Sequence, residues 1–241
     1  MEPVRTHRAK SVVEAARLHR ARDRRERGLT LVEGPQLVAD AIKAGAVVRE
    51  IFGLDAGEGT IPVDQRALER LAGTKSPRGP VAVVEIPTEW LDREANLLVS
   101  VGVSDPGNIG TMVRTAAAFG WAFAYTTDSA DPWAPKTIRA GAGGQFQTAV
   151  SRIGSLGELT GWSTVATLPE GGAGFDDILD RPVAVLIGEE ASGLDDRVIE
   201  AAGHRLTVPT PGPTNSLNAA VAAAIAVYEL SKGSGHDPAG V

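Results

Sequence analysis

Residues 96–120 read NLLVSVGVSDPGNIGTMVRTAAAFG, and this stretch decides the fold. The apolar run Leu97–Val103 lacks the alternation of a half-exposed strand, so it reads as a buried parallel strand. It breaks at Asp105-Pro106-Gly107, after which Asn108 is placed to cap a helix carrying Met112, Ala116, Ala117 and Phe119 that stops at Gly120. Further strands are expected at WAFAYTT (121–127), STVATL (163–168), VAVLIG (183–188) and HRLTVP (204–209), with helices or turns between them. This predicts an α/β domain whose parallel sheet is covered on both faces and whose ligand lies beyond the C-terminal strand ends. Three loops occupy those ends: Ser104–Gly110, Gly188–Leu194 and Pro209–Asn218.

A smaller α/β block precedes it. LTLVEGPQLVADAIKAG (29–45) reads as a strand, a Gly-Pro helix start and an amphipathic helix with Leu37, Val38, Ala41 and Ile42 on one stripe. VVREIFGL (47–54) is a second strand, VDQRALERLAG (63–73) a helix from Asp64, and GPVAVVEIP (79–87) another strand. The expected organisation is a basic extension over 1–28, a small domain over 29–88, a linker over 89–95, a larger domain over 96–231 and a disordered tail over 232–241.

Composition excludes several chemistries. The 241 residues contain no cysteine, which removes disulfides, thiolate metal sites, a cysteine nucleophile and iron–sulfur clusters, and suits a reducing cytoplasm. No apolar segment follows Met1, and the longest apolar stretch, Leu217–Val227, is too short to span a bilayer and contains Asn218, so neither export nor membrane insertion is expected. His7, His19, His204 and His236 are too scattered for a metal site, and neither H-E-x-x-H nor G-x-S-x-G occurs. GAGG at Gly141–Gly144 lacks the rest of a dinucleotide loop and reads as a flexible turn. Trp121 and Trp162 are expected to pack in cores; Trp90 and Trp133 are weaker candidates.

The net charge of −6 is unevenly spread. Residues 1–28 carry nine cations against four acids, or +5, and the remainder carries −11. A basic helix over 9–27 on an acidic body suits contact with a polyanion through one region, although a solvated helix face has the same composition.

The three loop segments together resemble the motifs of the SpoU, or TrmH-like, branch of the SPOUT RNA methyltransferases. DPGNIGTMVRTAAAFG (105–120) is similar to the first, LIGEEASGL (186–194) to the second and VPTPGPTNSLNAAVAAAIAVYEL (208–230) to the third, in matching order and spacing. LVEGPQLVADAIKAG and SPRGPVAVVE likewise resemble the L30e-like RNA-binding domain that often precedes such catalytic domains. The resemblance covers most of residues 29–231. It implies a SPOUT-type α/β fold with a C-terminal trefoil knot, the chain after Val183 threading a preceding loop, and a homodimer. It also implies methyl transfer from S-adenosylmethionine to a ribose 2′-hydroxyl of RNA. The two-domain layout is closer to the ribosomal RNA enzymes, including the thiostrepton-resistance type, than to the compact tRNA enzymes, so rRNA is preferred.

Carried over residue by residue, the resemblance implies catalytic roles for Asn108, Arg114, Glu190, Ser216 and Asn218, and contacts to the methyl donor from Leu168, Ile187, Gly188, Val208, Pro209, Ser216 and Leu217. Arg114 is then the residue beside the target ribose, often assigned as the base; a guanidinium is a poor proton acceptor, which leaves open a grip on phosphate instead. Glu190 is expected to hold Arg114 bidentately. It is chosen over Glu189 because the family's glutamate stands two residues after glycine; Glu189 occupies a position where the family often has Asn or Ser, and its charge needs solvent or a partner. Ser216 also reads as a helix N-cap. Two alternatives stay open: a catalytically inactive RNA-binding protein of the same fold, which predicts a degraded motif, and a metabolite-binding α/β protein, which leaves the basic segment unexplained.

Overall fold

The computed structural model describes residues 4–55, 57–74, 76–77, 79–88, 91, 93–178, 182–212 and 217–232. Two compact units emerge, Met1–Thr88 with Asp131–Gln147, and Glu89–Ala130 with Thr148–Val241. Residues 131–147, assigned from sequence to the larger domain, therefore pack with the smaller one.

The first unit opens with α1 (Lys10–Ala16), a 3-10 turn (Arg17–His19) and α2 (Ala21–Arg27). It continues through β1 (Leu29–Glu33), α3 (Pro35–Lys43), β2 (Val48–Gly53), β3 (Thr60–Pro62), α4 (Gln65–Ala72) and β4 (Val81–Glu85). The sheet order is β1-β4-β2-β3, with β4 antiparallel to β1 and β2 and β3 parallel to β2. Asp64 caps α4 by accepting from the Ala67 amide at 2.7 Å. Gly73 ends α4 with φ +69, and a Cβ there would also crowd the His19 ring. Within the stripe expected on α3, Val38 and Ala41 are buried and Leu37 is half-buried, whereas Ile42 is exposed.

The basic N-terminal segment is neither one helix nor a detachable arm. Arg20 adopts an extended conformation (φ −89°, ψ 130°), which breaks the expected 9–27 helix into two. Val12, Ala15 and Leu18 pack into one core with Leu31, Phe52, Leu68, Leu71 and Val83. Arg24 is only 3% exposed: its guanidinium meets Asp131 Oδ2 at 2.5 and 3.0 Å and donates to the carbonyls of Leu18 and His19. One of the nine cations is thus structural and unavailable to phosphate.

The second unit begins with β5 (Leu97–Ser100), α5 (Pro106–Ala118) and β6 (Ala122–Thr126). The chain then crosses into the first unit, where α6 (Pro135–Ala140) packs beside β1 and Thr30 donates to the Trp133 carbonyl at 2.6 Å. It resumes the second unit as β7 (Val150–Ile153), β8 (Ser163–Leu168), β9 (Val183–Ile187), α7 (Asp196–Ala201), β10 (His204–Thr207) and α8 (Ala219–Ser231). The sheet runs β10-β8-β9-β5-β6-β7 with every neighbouring pair parallel. β5 and β9, its central strands, are buried along their whole length, as their unbroken apolar runs require.

Four local readings change. The strands β3, three residues long, and β7, whose VSRI has no unbroken apolar run, carry no distinct sequence signal. Asn108 is not the cap of α5; Asp105 is, accepting from the Asn108 amide at 2.8 Å. The Gly141–Gly144 turn is packed, with Gly144 and Gln145 buried and Gly143 at φ +76. α8, whose almost wholly apolar run leads to the expectation of burial on nearly all faces, is not covered on all sides, since Val221 and Tyr228 are exposed. Trp121 and Trp162 are buried as expected, and so is Trp133; Trp90 lies outside the described residues.

Asp131→Ala leaves the buried Arg24 charge uncompensated and should destabilise the first unit by about 3 kcal/mol in denaturant unfolding, while Arg24→Met in the same chain should recover much of the loss. Additive losses in the double variant would show that the two side chains act independently.

Candidate active site

Three segments distant in sequence meet at the C-terminal edge of the parallel sheet. In α5, Pro106 starts the helix and Asp105 satisfies the first-turn amide, which leaves the side chain of Asn108 free to reach outward. After β9 the chain makes a tight turn in which the Glu189 carbonyl accepts from the Gly193 amide at 2.8 Å. Gly193 takes φ +67, and a Cβ on Gly188 would overlap the Gly193 carbonyl, so this turn can close only with glycine at 188. Asn218 caps α8, its Oδ1 accepting from the amides of Ala220 (3.0 Å) and Val221 (3.2 Å).

These side chains form a closed hydrogen-bonded triangle. Asn108 Nδ2 donates to Glu190 Oε1 at 2.6 Å, Asn218 Nδ2 donates to the same oxygen, and Asn218 Nδ2 also donates to Asn108 Oδ1 at 3.0 Å. An ionised carboxylate only accepts, so both amides must turn their NH2 groups toward Glu190, which fixes their orientation. Asn218 uses its oxygen on α8 and its nitrogen on the triangle, so one side chain couples the last helix to the other two loops.

Arg114 stands apart from this triangle. It is exposed on α5, and among the described residues Glu190 is held by the two asparagines rather than by the expected bidentate arginine. Six residues of helix carry Arg114 about 120° around the axis and about 9 Å beyond Asn108, which takes it away from the carboxylate that Asn108 meets.

Beside the triangle lies a cleft of about 590 Å³. Leu168, Ile187, Gly188, Val208 and Leu217 line it, together with Glu190; Pro209 is not part of its lining, and Ser216 lies outside the described residues. Sequence reasoning missed Glu170, Ile199 and Thr210, which also line it. The position of Glu170 just past the C-terminal end of β8 was the available signal. The volume falls within the roughly 300–1,000 Å³ of small-molecule sites. Apolar walls from Leu168, Ile187 and Leu217, with Glu170, Glu189 and Glu190 also in the lining and no cation among the described lining residues, fit an adenosyl group bearing a sulfonium.

Two substitutions separate the roles of Asn218. Asn218→Ala loses both cap and triangle and should lower stability by about 1 kcal/mol or more in thermal unfolding. Asn218→Asp keeps an oxygen for the cap but sets a second carboxylate against Glu190, so it should retain more stability while losing function as fully as Asn218→Ala.

Comparison with known proteins agrees with this geometry. The model of the SpoU rRNA Methylase family matches residues 95–228. The chain is 33% identical over 249 residues to the 23S rRNA (guanosine(2553)-2′-O)-methyltransferase RlmP of Bacillus subtilis, covering 95% of this chain and 99% of that protein. The AdoMet complex of the SpoU methyltransferase AviRb from Streptomyces viridochromogenes superposes with a TM-score of 0.82 at 26% identity, over 93% of this chain and 98% of that one. An AdoMet-bound rRNA methyltransferase from Sinorhizobium meliloti shares the fold with a TM-score of 0.82 at 24% identity, over 95% and 98% of the two chains. With the three motif loops converging on one cleft and the family match spanning more than half of its length, the chain belongs to the SpoU rRNA methylase family.

Proposed function

We propose that the protein methylates a ribose 2′-hydroxyl of ribosomal RNA with S-adenosylmethionine as donor. The observation that carries this reading is the Asn108–Glu190–Asn218 triangle beside the cleft, which joins all three motif loops. The 23S rRNA substrate of RlmP supports ribosomal RNA.

S-adenosylmethionine, when bound, supplies an activated methyl group on a good leaving group. The chain must therefore align a weakly acidic hydroxyl with that methyl and help its proton leave. Gly188 and Leu217 bring backbone close to the donor, and Ser216 is assigned to its polar contacts. The triangle holds the donor loops and α5 in one arrangement. Arg114, exposed and outside the triangle, is placed to grip the RNA at the ribose or its phosphate; its guanidinium is a poor proton acceptor, so the proton leaves through water or another group.

RNA capture is assigned to the exposed cations of the N-terminal helices. Arg8, Lys10, Arg17, Arg20, Arg22, Arg25 and Arg27 are exposed. Arg22 pairs with Glu26 at 2.6 Å and Arg27 holds the Glu14 carbonyl, whereas Arg17, Arg20 and Arg25 have no ion pair among the described residues. A homodimer is supported by Phe119, Val221 and Tyr228, exposed apolar residues of the packed α5–α8 pair, where the rings of Phe119 and Tyr228 meet edge-on at 6.1 Å. The placement of β9 between β8 and β5 is in keeping with a C-terminal knot. A cytoplasmic location suits the cysteine-free composition; among the described residues no helix is long and apolar enough to cross a membrane.

Mass mapping of 2′-O-methyl sites after incubating rRNA and tRNA with labelled S-adenosylmethionine tests the reading. A single rRNA site is expected. A folded protein that binds rRNA and transfers no methyl would instead favour an inactive RNA-binding role. Arg114→Ala should lower turnover by about a hundredfold or more while leaving S-adenosylhomocysteine affinity within twofold by calorimetry. Replacing Arg17, Arg20 and Arg25 with alanine should flatten the dependence of log affinity for RNA on log salt by about 2, at roughly 0.7 to 0.9 for each phosphate no longer neutralised. An unchanged slope would reduce the segment to a solvated face.

A further inference from the structure

The geometry assigns a function to Glu189: it is a positioning residue that locks the loop leading into α5 onto the turn that closes the cofactor cleft. This rests on the methyltransferase reading above and deepens it. Glu189 stands next to Glu190 in the turn after β9, and its charge has a partner. Its Oε2 accepts the backbone N–H of Ser104 at 2.6 Å, across 85 positions of sequence.

The backbone that carries this side chain is itself fixed. The Glu189 carbonyl accepts from the Gly193 amide, residues 189 and 193 pair as an antiparallel bridge, and Gly188 has no room for a Cβ. The loop it grasps is held elsewhere by uncharged groups. The Val101 amide donates to the Ile187 carbonyl at 2.8 Å, the Gly102 amide to Thr126 Oγ1 at 3.0 Å, and the Val103 carbonyl accepts from Ala130 at 2.9 Å. Ser104 is the last residue before the Asp105 cap, and its amide is tied to a carboxylate, a charge-assisted bond of about twice the strength of a neutral one.

The neighbouring carboxylate completes the arrangement. Glu190 takes the side chain of Asn108, four residues beyond Ser104. Consecutive glutamates of one turn thus hold both ends of Ser104–Asn108, the segment that sets where α5 starts and therefore where Arg114 stands. The turn that lines the cleft and the loop that starts α5 are thereby tied together. With its carboxylate spent on the Ser104 amide, Glu189 acts on turnover through the start of α5.

The test compares Glu189→Leu with Glu189→Gln, whose amide oxygen still accepts from Ser104. In Glu189→Leu, exchange of the Ser104 amide with deuterated solvent should speed up on the order of tenfold. Turnover on RNA should fall by about tenfold or more, and by a larger factor than S-adenosylhomocysteine affinity, which loses only the contact of one cleft-lining side chain. Glu189→Gln should keep most of the amide protection and most of the turnover. Unchanged exchange at Ser104 in Glu189→Leu overturns the proposal, as does a Glu189→Gln variant with full protection but the turnover of Glu189→Leu. Because exchange is read without RNA, a parent protein inactive on rRNA would defeat the proposed substrate while the exchange measurement still decides the clamp.

Discussion

One carboxylate organises this site. Glu190 collects amide donors from Asn108 and Asn218, side chains that lie 110 positions apart and belong to two different helices. Because a carboxylate can only accept, both amides are forced into a single orientation, and because Asn218 spends its oxygen capping α8, that orientation fixes a helix as well as a side chain. The three loops are brought to this point by the parallel sheet: strands running one way deliver all their C-terminal ends to one edge, and β5 and β9 are hydrogen-bonded neighbours at its centre. The triangle is thus the place where the topology becomes chemistry.

The cleft beside it depends on what is missing from two residues. Gly188 and Gly193 let the turn after β9 fold back on itself, with the 188 position too close to the Gly193 carbonyl for any side chain. The side chains of Glu189 and Glu190 then leave this fixed backbone for different points on the α5 loop. The segment after β8, which also contributes lining residues, is tied to β10, the Gly172 amide donating to Thr207 Oγ1 at 2.8 Å. A cleft whose lining segments are hydrogen-bonded to neighbouring elements is pre-organised, which matters for a reaction in which alignment supplies much of the rate.

The first unit separates structural cations from available ones. Arg24 is buried against Asp131 and two carbonyls, and it joins α2 to a segment more than a hundred residues later. Around it Arg17, Arg20 and Arg25 stay exposed, while Val12, Ala15 and Leu18 anchor the same segment in the core. A charge run of this kind is therefore both a scaffold and a surface, and only the surface part can meet phosphate.

By itself the sequence determined the α/β class, the strands β5, β6, β8, β9 and β10, the glycine-bounded turns and the identity of the motif residues, because unbroken apolar runs and Gly, Pro and Asp punctuation act over a few neighbouring positions. It did not determine β3, too short to carry a period, or β7, whose VSRI has no unbroken apolar run, nor that residues 131–147 pack with the first unit, because that depends on Arg24, Glu33 and Thr30 meeting partners about a hundred positions away. The same limit held in the site. The motif resemblance nominated Asn108, Glu190 and Asn218, but which donor Glu190 would take was decided by helix phase: Asn108 in the first turn of α5 reaches the carboxylate, whereas Arg114, a turn and two-thirds later, is carried around the axis and away from it.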